Sequence, residues 1–273
     1  EEIAKIRATR RLFARMMRDE FGAKDPRSHS VVITSHTSGL AMTAQQPVNN
    51  IMRGTLQSLS LVLAGVQAIE ISAFDEALRT PSRESHLVSL RTQQIIDLES
   101  GAAQVADPLG GSYYVEALTD DIEARIWDMV LEIEAKGDVE TLVDQGYFKE
   151  IFHTAMERQS QNVASGAENV VGVNVHQMAE TDDTMLRDLT DSKFPPCKDH
   201  IDRIKAFKAA RDPIGLQRGL APILEASKTD SGNLLALTID AFEAGPTAGE
   251  IAGGFRLGCG AAYDPFGQME PPI

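Results

Sequence analysis

Three short segments carry the residue types that can do chemistry. Ser35-His36-Thr37-Ser38-Gly39 sets an imidazole, three hydroxyls and a glycine directly after a β-branched run. Its histidine reads either as a hydrogen-bonded structural group or as a catalytic one, and a place just after a strand narrows the gap between those readings. Phe74-Asp75-Glu76-Ala77-Leu78 sets two carboxylates side by side. They read as one helix-capping acid plus one ligand contact, or, the more ordinary case, as two solvated charges. Asp107-Pro108-Leu109-Gly110-Gly111-Ser112 brings glycines that can approach a phosphate, but it lacks the full P-loop or GxGxxG pattern. No HExxH, GxSxG or paired CxxC occurs, which disfavours zincins and α/β-hydrolases. His29, His86, His153, His176 and His200 have no ligand-like spacing and read as surface or packing residues.

Each segment follows a stretch that reads as a strand or precedes one that reads as a helix. Residues 1–21 place Ile3, Ile6, Phe13, Met16 and Met17 at helical spacing. Val31-Val32-Ile33-Thr34 reads as a buried strand, and Pro47 opens a helix that runs through Ile51, Leu56, Leu59 and Leu63 to a stop at Gly65. The pattern repeats: a strand over 68–72, a loop over 73–78, and a helix capped at Thr80-Pro81 and ending at Gly101. A weaker third round has Val105-Ala106-Asp107 as strand and a helix capped by Thr119. Strands alternating with helices predict βα units on a parallel sheet, either doubly wound or a (β/α)8 barrel. In both, ligands sit at the C-terminal ends of the strands.

Beyond Gly137 the sequence predicts shorter helices over 147–161, 200–210 and 234–242, one strand over 170–173, and loops holding Pro195-Pro196 and Gly232. Thr247-Ala248-Gly249-Glu250 forms a capping box ahead of a last helix weakened by Gly253 and Gly254. Residues 261–273 read as extended.

The 273 residues, 42% hydrophobic and 24% charged, suit a globular chain with a sizeable core. The formal charge of −14 argues against nucleic-acid binding, which needs a basic surface. No apolar run approaches the roughly 20 residues that span a bilayer, so the expectation is a cytoplasmic protein without a membrane partner. Cys197 and Cys259 lack disulfide or zinc spacing and read as buried free thiols.

Four phrases closely resemble the large subunit of the adenosylcobalamin-dependent acyl-CoA mutases, the methylmalonyl-CoA mutase family. They are Thr43-Ala44-Gln45-Gln46-Pro47-Val48-Asn49-Asn50, Phe74-Asp75-Glu76-Ala77-Leu78, Leu90-Arg91-Thr92-Gln93-Gln94-Ile95-Ile96, and Asp107-Pro108-Leu109-Gly110-Gly111-Ser112-Tyr113-Tyr114-Val115-Glu116. The likeness continues through Gly172-Val173-Asn174 and Gly232-Asn233-Leu234-Leu235. It implies an α/β fold in which residues 1–137 are the last βα units of a (β/α)8 TIM barrel and 138–273 a mainly helical C-terminal extension. The front of that barrel is then expected on another polypeptide, the N-terminal half of the mutase barrel. A start at Glu1 without an initiator methionine fits a processed, split or truncated chain.

The resemblance further implies a radical rearrangement of a branched acyl-CoA, begun by a 5′-deoxyadenosyl radical from adenosylcobalamin. The family's DxHxxG cobalt-ligating motif matches none of the six histidines here. The cobalt ligand is therefore expected from a small cobalamin-binding subunit or domain, and no metal site from this chain.

By position, Gly39 matches a glycine under the corrin ring, Glu76 and Ala77 lie beside the cofactor, and Thr80 faces the corrin. Gln67 matches a glutamine near the pantetheine of CoA. His36 stands where the family carries a substrate-contacting glutamine, which makes it the candidate catalytic and substrate-binding residue. Two departures fall on the substrate side: Thr34 replaces a histidine, and Glu70-Ile71-Ser72 replaces His-Thr-Asn. With the acidic phrase retained, they imply the same cofactor and a different acyl group, with 2-hydroxyisobutyryl-CoA one candidate beside methylmalonyl-CoA. The alternative is a non-catalytic scaffold partner of an active mutase subunit. The −14 charge also counts against this segment alone holding the CoA phosphates.

Overall fold

A computed structural model describes residues 1–191, 196–229 and 231–272. Pro195 of the predicted Pro-Pro loop and Ile273 of the tail lie outside the described residues. The protein is a mainly helical α/β structure with a small parallel sheet, and packing divides it into two compact units, Glu1–Lys193 and Phe194–Ile273. That division falls later in the chain than the change of character at Gly137.

In the first unit, helix α1 (Glu2–Arg15) runs on through a π-turn over Met16–Glu20. One face of α1 buries Ala4 and Ala8 against Ile122 of α4 (Tyr113–Lys136). The adjoining face sets Ile6 against Leu61 and Ala64 at the end of α2 (Asn49–Leu63), with Ile33 and Ile69 packed beside them. Two alanines at i and i+4 make the stripe along which the helices approach closely. Arginines flank it: Arg7 pairs with Asp107 and Glu116, and Arg11 and Arg15 both pair with Glu123, whose side chain is buried. Arg10 donates to the Ala64 and Gly65 carbonyls, where a cation satisfies the orphan acceptors at the end of α2.

Strands β1 (Thr34–His36) and β2 (Ala68–Glu70) pair in parallel, Thr34 with Ala68, Ser35 with Ile69 and His36 with Glu70. The strand expected over 31–34 thus begins at its last residue, and Val32 is exposed. Helix α3 (Arg83–Glu99) follows β2, capped by Ser82, whose hydroxyl accepts from the Ser85 amide. The expected cap at Thr80 lies in the preceding turn.

Two expected strands are absent. Residues 105–107 form turns, with Val105 exposed and Asp107 at φ +46°. Val170 folds back because its amide donates to Asn174 Oδ1, leaving one isolated bridge, Val171 to Val175. In both places β-branched residues meet no neighbouring strand, and a strand is stable only through its cross-strand contacts. Helix α4 starts at Tyr113, so Thr119 is an interior residue whose hydroxyl donates to the Val115 carbonyl. Helices α5 (Val139–Asp144), α6 (Tyr147–Ser165) and α7 (Thr184–Asp191) complete this unit.

The second unit holds α8 (Lys198–Ala210), α9 (Pro213–Thr229), α10 (Leu234–Ala241) and α11 (Ala248–Gly258). Leu216, Leu220 and Ile223 of α9 form its core with Ala241 and Ile251. The capping box at Thr247 is present, with both reciprocal bonds made. Gly253 is buried, and a Cβ there would stand 2.1 Å from the Tyr263 ring. This glycine is required by close packing, so its weakness as a helix former is offset by the contact it permits. Residues 261–269 turn around Asp264, which accepts from the Phe266, Gln268 and Met269 amides. Cys197 and Cys259 are both exposed, not buried. No helix among the described residues is long and apolar enough to cross a membrane.

Candidate functional site

Alternation along the strands assigns the two faces of the sheet. Ile69 packs into the helix-covered core, whereas Thr34, His36, Ala68 and Glu70 are all exposed and share the opposite, helix-free face. Thr34 and His36 therefore stand on one side, two residues apart. His36 and Glu70 are register partners at the C-terminal ends of their strands, with His36 Nε2 3.9 Å from Glu70 Oε1.

Just beyond them the chain locks its two βα loops together. The Thr37 amide donates to the Glu70 carbonyl at 2.9 Å, and the Ser72 amide returns a bond to Thr37 Oγ1 at 2.8 Å. Ser72 Oγ donates to the Thr37 carbonyl at 3.1 Å. Ser72 is thus buried and fully engaged in joining the loops. The Ser38 amide donates to Gln57 Oε1 of α2 at 2.7 Å, which fixes the first loop ahead of Gly39. A Cβ built on Gly39 would meet Glu76 Oε1 at 3.6 Å and Ser72 Oγ at 3.7 Å, both ordinary contacts. Nothing among the described residues therefore demands glycine there. The missing side chain leaves the loop surface flat, which suits the close approach of an outside group.

The acidic phrase divides. Asp75 is wholly buried, and its Oδ2 accepts from the Ser82 amide at 3.1 Å, at the start of α3. The reading of both acids as solvated fails for this residue, which holds the amide of the Ser82 cap instead. Glu76 and Ala77 are exposed on the same turn, and no hydrogen bond among the described residues engages the Glu76 carboxylate. Thr80 is exposed on the same connection to α3.

Gln67 lies at the other end of the sheet. Its amide oxygen accepts from the Ile33 N–H at 2.7 Å and its own N–H donates to the Ile33 carbonyl at 2.8 Å. It is not brought to His36.

Sequence reasoning passed over Asn50, whose place in the site comes from contacts distant in the chain. It is 1% exposed, and its amide nitrogen donates to both the Thr43 and Phe74 carbonyls at 2.9 Å while its oxygen accepts from the Thr43 amide and Arg53. One buried side chain thereby joins both loops. The glycine loop at 108–112 is also an internal lock: Gly111 donates to Glu116 Oε1, which Arg7 contacts as well. Those two bonds, the Gly111 one foremost, hold the Glu116 carboxyl below its usual range. Among the described residues no group of three or more His, Cys, Asp or Glu is arranged to hold a metal.

The family model described as Methylmalonyl-CoA mutase matches residues 1–261. The chain belongs to the methylmalonyl-CoA mutase family. It is 37% identical over 256 residues to the 2-hydroxyisobutanoyl-CoA mutase large subunit of Aquincola tertiaricarbonis, an overlap covering 92% of this chain and 44% of that protein. It is 36% identical over 252 residues to the mitochondrial methylmalonyl-CoA mutase of Homo sapiens, covering 92% of this chain and 33% of that one. The methylmalonyl-CoA mutase of Rhizobium meliloti is 33% identical over 257 residues, covering 93% and 35%. The chain thus spans less than half the length of each of these mutases.

Proposed function

We propose that this chain is part of a coenzyme B12-dependent acyl-CoA mutase that rearranges the carbon skeleton of a branched acyl-CoA of the methylmalonyl or 2-hydroxyisobutyryl type. The observation that carries this reading is the convergence of His36, Gly39 and Glu76 at one end of the parallel sheet in a chain of this family. Residues 1–137 then supply the last βα units of a (β/α)8 barrel and 138–273 the helical extension. The N-terminal half of the barrel and a small cobalamin-binding subunit are the partners, in the cytoplasm. Adenosylcobalamin, with its cobalt ligand from another chain or domain, supplies the radical chemistry when bound.

The residues present fit that cofactor. A flat loop at Gly39, Ala77 and Thr80 offers surface to a broad ring. The unengaged Glu76 carboxylate, an acceptor only, suits the hydroxyls of a ribose. His36 offers the acyl thioester a hydrogen bond from its exposed ring. Thr34, exposed two residues before His36 on the same face, would stand on the substrate side as well. Ser72 acts on the substrate side by fixing the loop that carries His36, and Gln67 serves the pantetheine arm from the sheet's far end. Closure of the barrel around these groups excludes water and competing reactions.

The test is reconstitution with the complementing mutase polypeptides and adenosylcobalamin, following the cobalamin spectrum and isomerised acyl-CoA by mass spectrometry. His36→Ala and Glu76→Ala are each expected to lower the rate by about tenfold or more, the worth of one hydrogen bond to a reacting or charged group. Absence of isomerisation with every branched acyl-CoA sinks the reading. Turnover that ignores both substitutions assigns the chain a scaffold role instead.

A further inference from the structure

A cleft of about 870 Å³ in the first unit lies between α2, the end of α6 and the segment around Val170. Its volume is that of a small-molecule site. Leu40, Met52, Leu56 and Val163 give it apolar walls, and Arg53 reaches into them half-buried.

The Arg53 guanidinium is oriented by neutral acceptors alone. Nη1 donates to Thr43 Oγ1 and Asn50 Oδ1, both at 2.8 Å, and Nη2 donates to the Val171 carbonyl at 2.7 Å. Among the described residues no carboxylate pairs with it and no acceptor takes its Nε–H. Burial accordingly pulls its pKa down. The Nε–H and the second Nη2–H together form the edge that grips a carboxylate with two parallel bonds. Glu168 also lines the cleft without pairing to Arg53. One fixed cation beside one acid matches a single negative charge better than a phosphate dianion.

We propose that this cleft binds a small aliphatic carboxylic acid, its carboxylate on Arg53 and its carbon chain along Met52, Leu56 and Val163.

Methyl-labelled methionine makes the test local, because Met52 and Met156 both line the cleft. Titration of the chain with octanoate is expected to shift those two methyl signals saturably and to leave the remaining methionines in place. Arg53→Gln is expected to weaken binding by about tenfold or more, the loss of a charge-assisted bidentate contact. Because Arg53 also braces Thr43 and Val171, Leu56→Asp provides a second variant at an exposed position, expected to weaken octanoate by placing a like charge on the wall. The shifts must persist when the chain is assembled with its complementing mutase polypeptides. The proposal is overturned if no saturable shift occurs, if both variants bind as the parent does, or if inorganic phosphate binds as tightly as octanoate. Loss of the site in the assembly overturns it too, by showing the cleft to be a seat for protein.

Discussion

Glu250 offers a quantitative test of how the second unit is held. Its side chain is 8% exposed and takes both Arg211 nitrogens, Nη1 at 2.6 Å and Nη2 at 2.9 Å, besides the Thr247 amide at 2.7 Å. Arg211 foremost holds its carboxyl down at about 2, against the ordinary 4.5. A carboxylate depressed on folding contributes stability that is fully present above the unfolded value and is lost as pH falls through the folded one. A carboxyl held at about 2 instead of 4.5 sets an upper bound of about 3.4 kcal/mol at pH 7, and the same linkage leaves about 1.4 kcal/mol at pH 3. Glu250→Gln keeps a capping-box acceptor but removes the charge. Hydrogen exchange read on peptides from α9 and α11 reports this unit alone, whatever the rest of the chain does. The expected loss at pH 7 is about 2–3 kcal/mol, a roughly 30- to 150-fold drop in protection, shrinking to about 1 kcal/mol at pH 3. An equal loss at both pH values would refute the reasoning, because the effect would then be packing and not charge. A loss below about 0.5 kcal/mol at pH 7 would refute it as well, placing this ion pair among those that contribute little.

Gly253→Ala should destabilise the same unit by about 2 kcal/mol or more, since the added Cβ would overlap the Tyr263 ring; exchange in α11 measures it, and Tyr263→Leu in the same chain should recover part of the loss. Asn50→Leu should cost the first unit about 3 kcal/mol by stripping partners from the Thr43 amide and the Thr43 and Phe74 carbonyls. Its mark is faster exchange in both βα loops together, and a change confined to one loop would contradict the bridging role.

What was legible in the sequence was what short-range physics decides. The helices α2, α3, α6 and α10 follow from apolar spacing, and the capping box at Thr247 from four adjacent residues. Helix α9 escaped notice because Pro222, Gly215 and Gly219 interrupt its pattern; Gly219 is there because Ala244 comes within 3.1 Å of where its Cβ would lie. The strands were misplaced because their fate rests on partners. Val105 and Val170 have the residue type of strands and no strand beside them, whereas Ser35 and His36 lack that character and pair. Of the candidate residues, Gly39 and Glu76 stand outside the strands as expected, whereas His36, expected in the loop, ends β1. The bonds of Asn50, and the burial of Asp75 beside an exposed Glu76, depend on contacts made only in the folded chain.

The helix-free face of the sheet bears on which architecture these elements serve. Parallel sheets are ordinarily covered on both faces, and a doubly wound fold would put apolar residues on each. Here one face is apolar and helix-covered, while the other presents Thr34, His36, Ala68 and Glu70, small or polar and exposed. A second layer of helices laid on that face would take an imidazole and a carboxylate out of water, at a cost of several kcal/mol. A curved sheet that closes on itself turns the same face inward, onto a lumen where polar side chains meet a ligand instead. The composition of these four residues is the one the barrel reading proposed above requires, in which the strand ends that carry His36 and Glu70 would face the ligand.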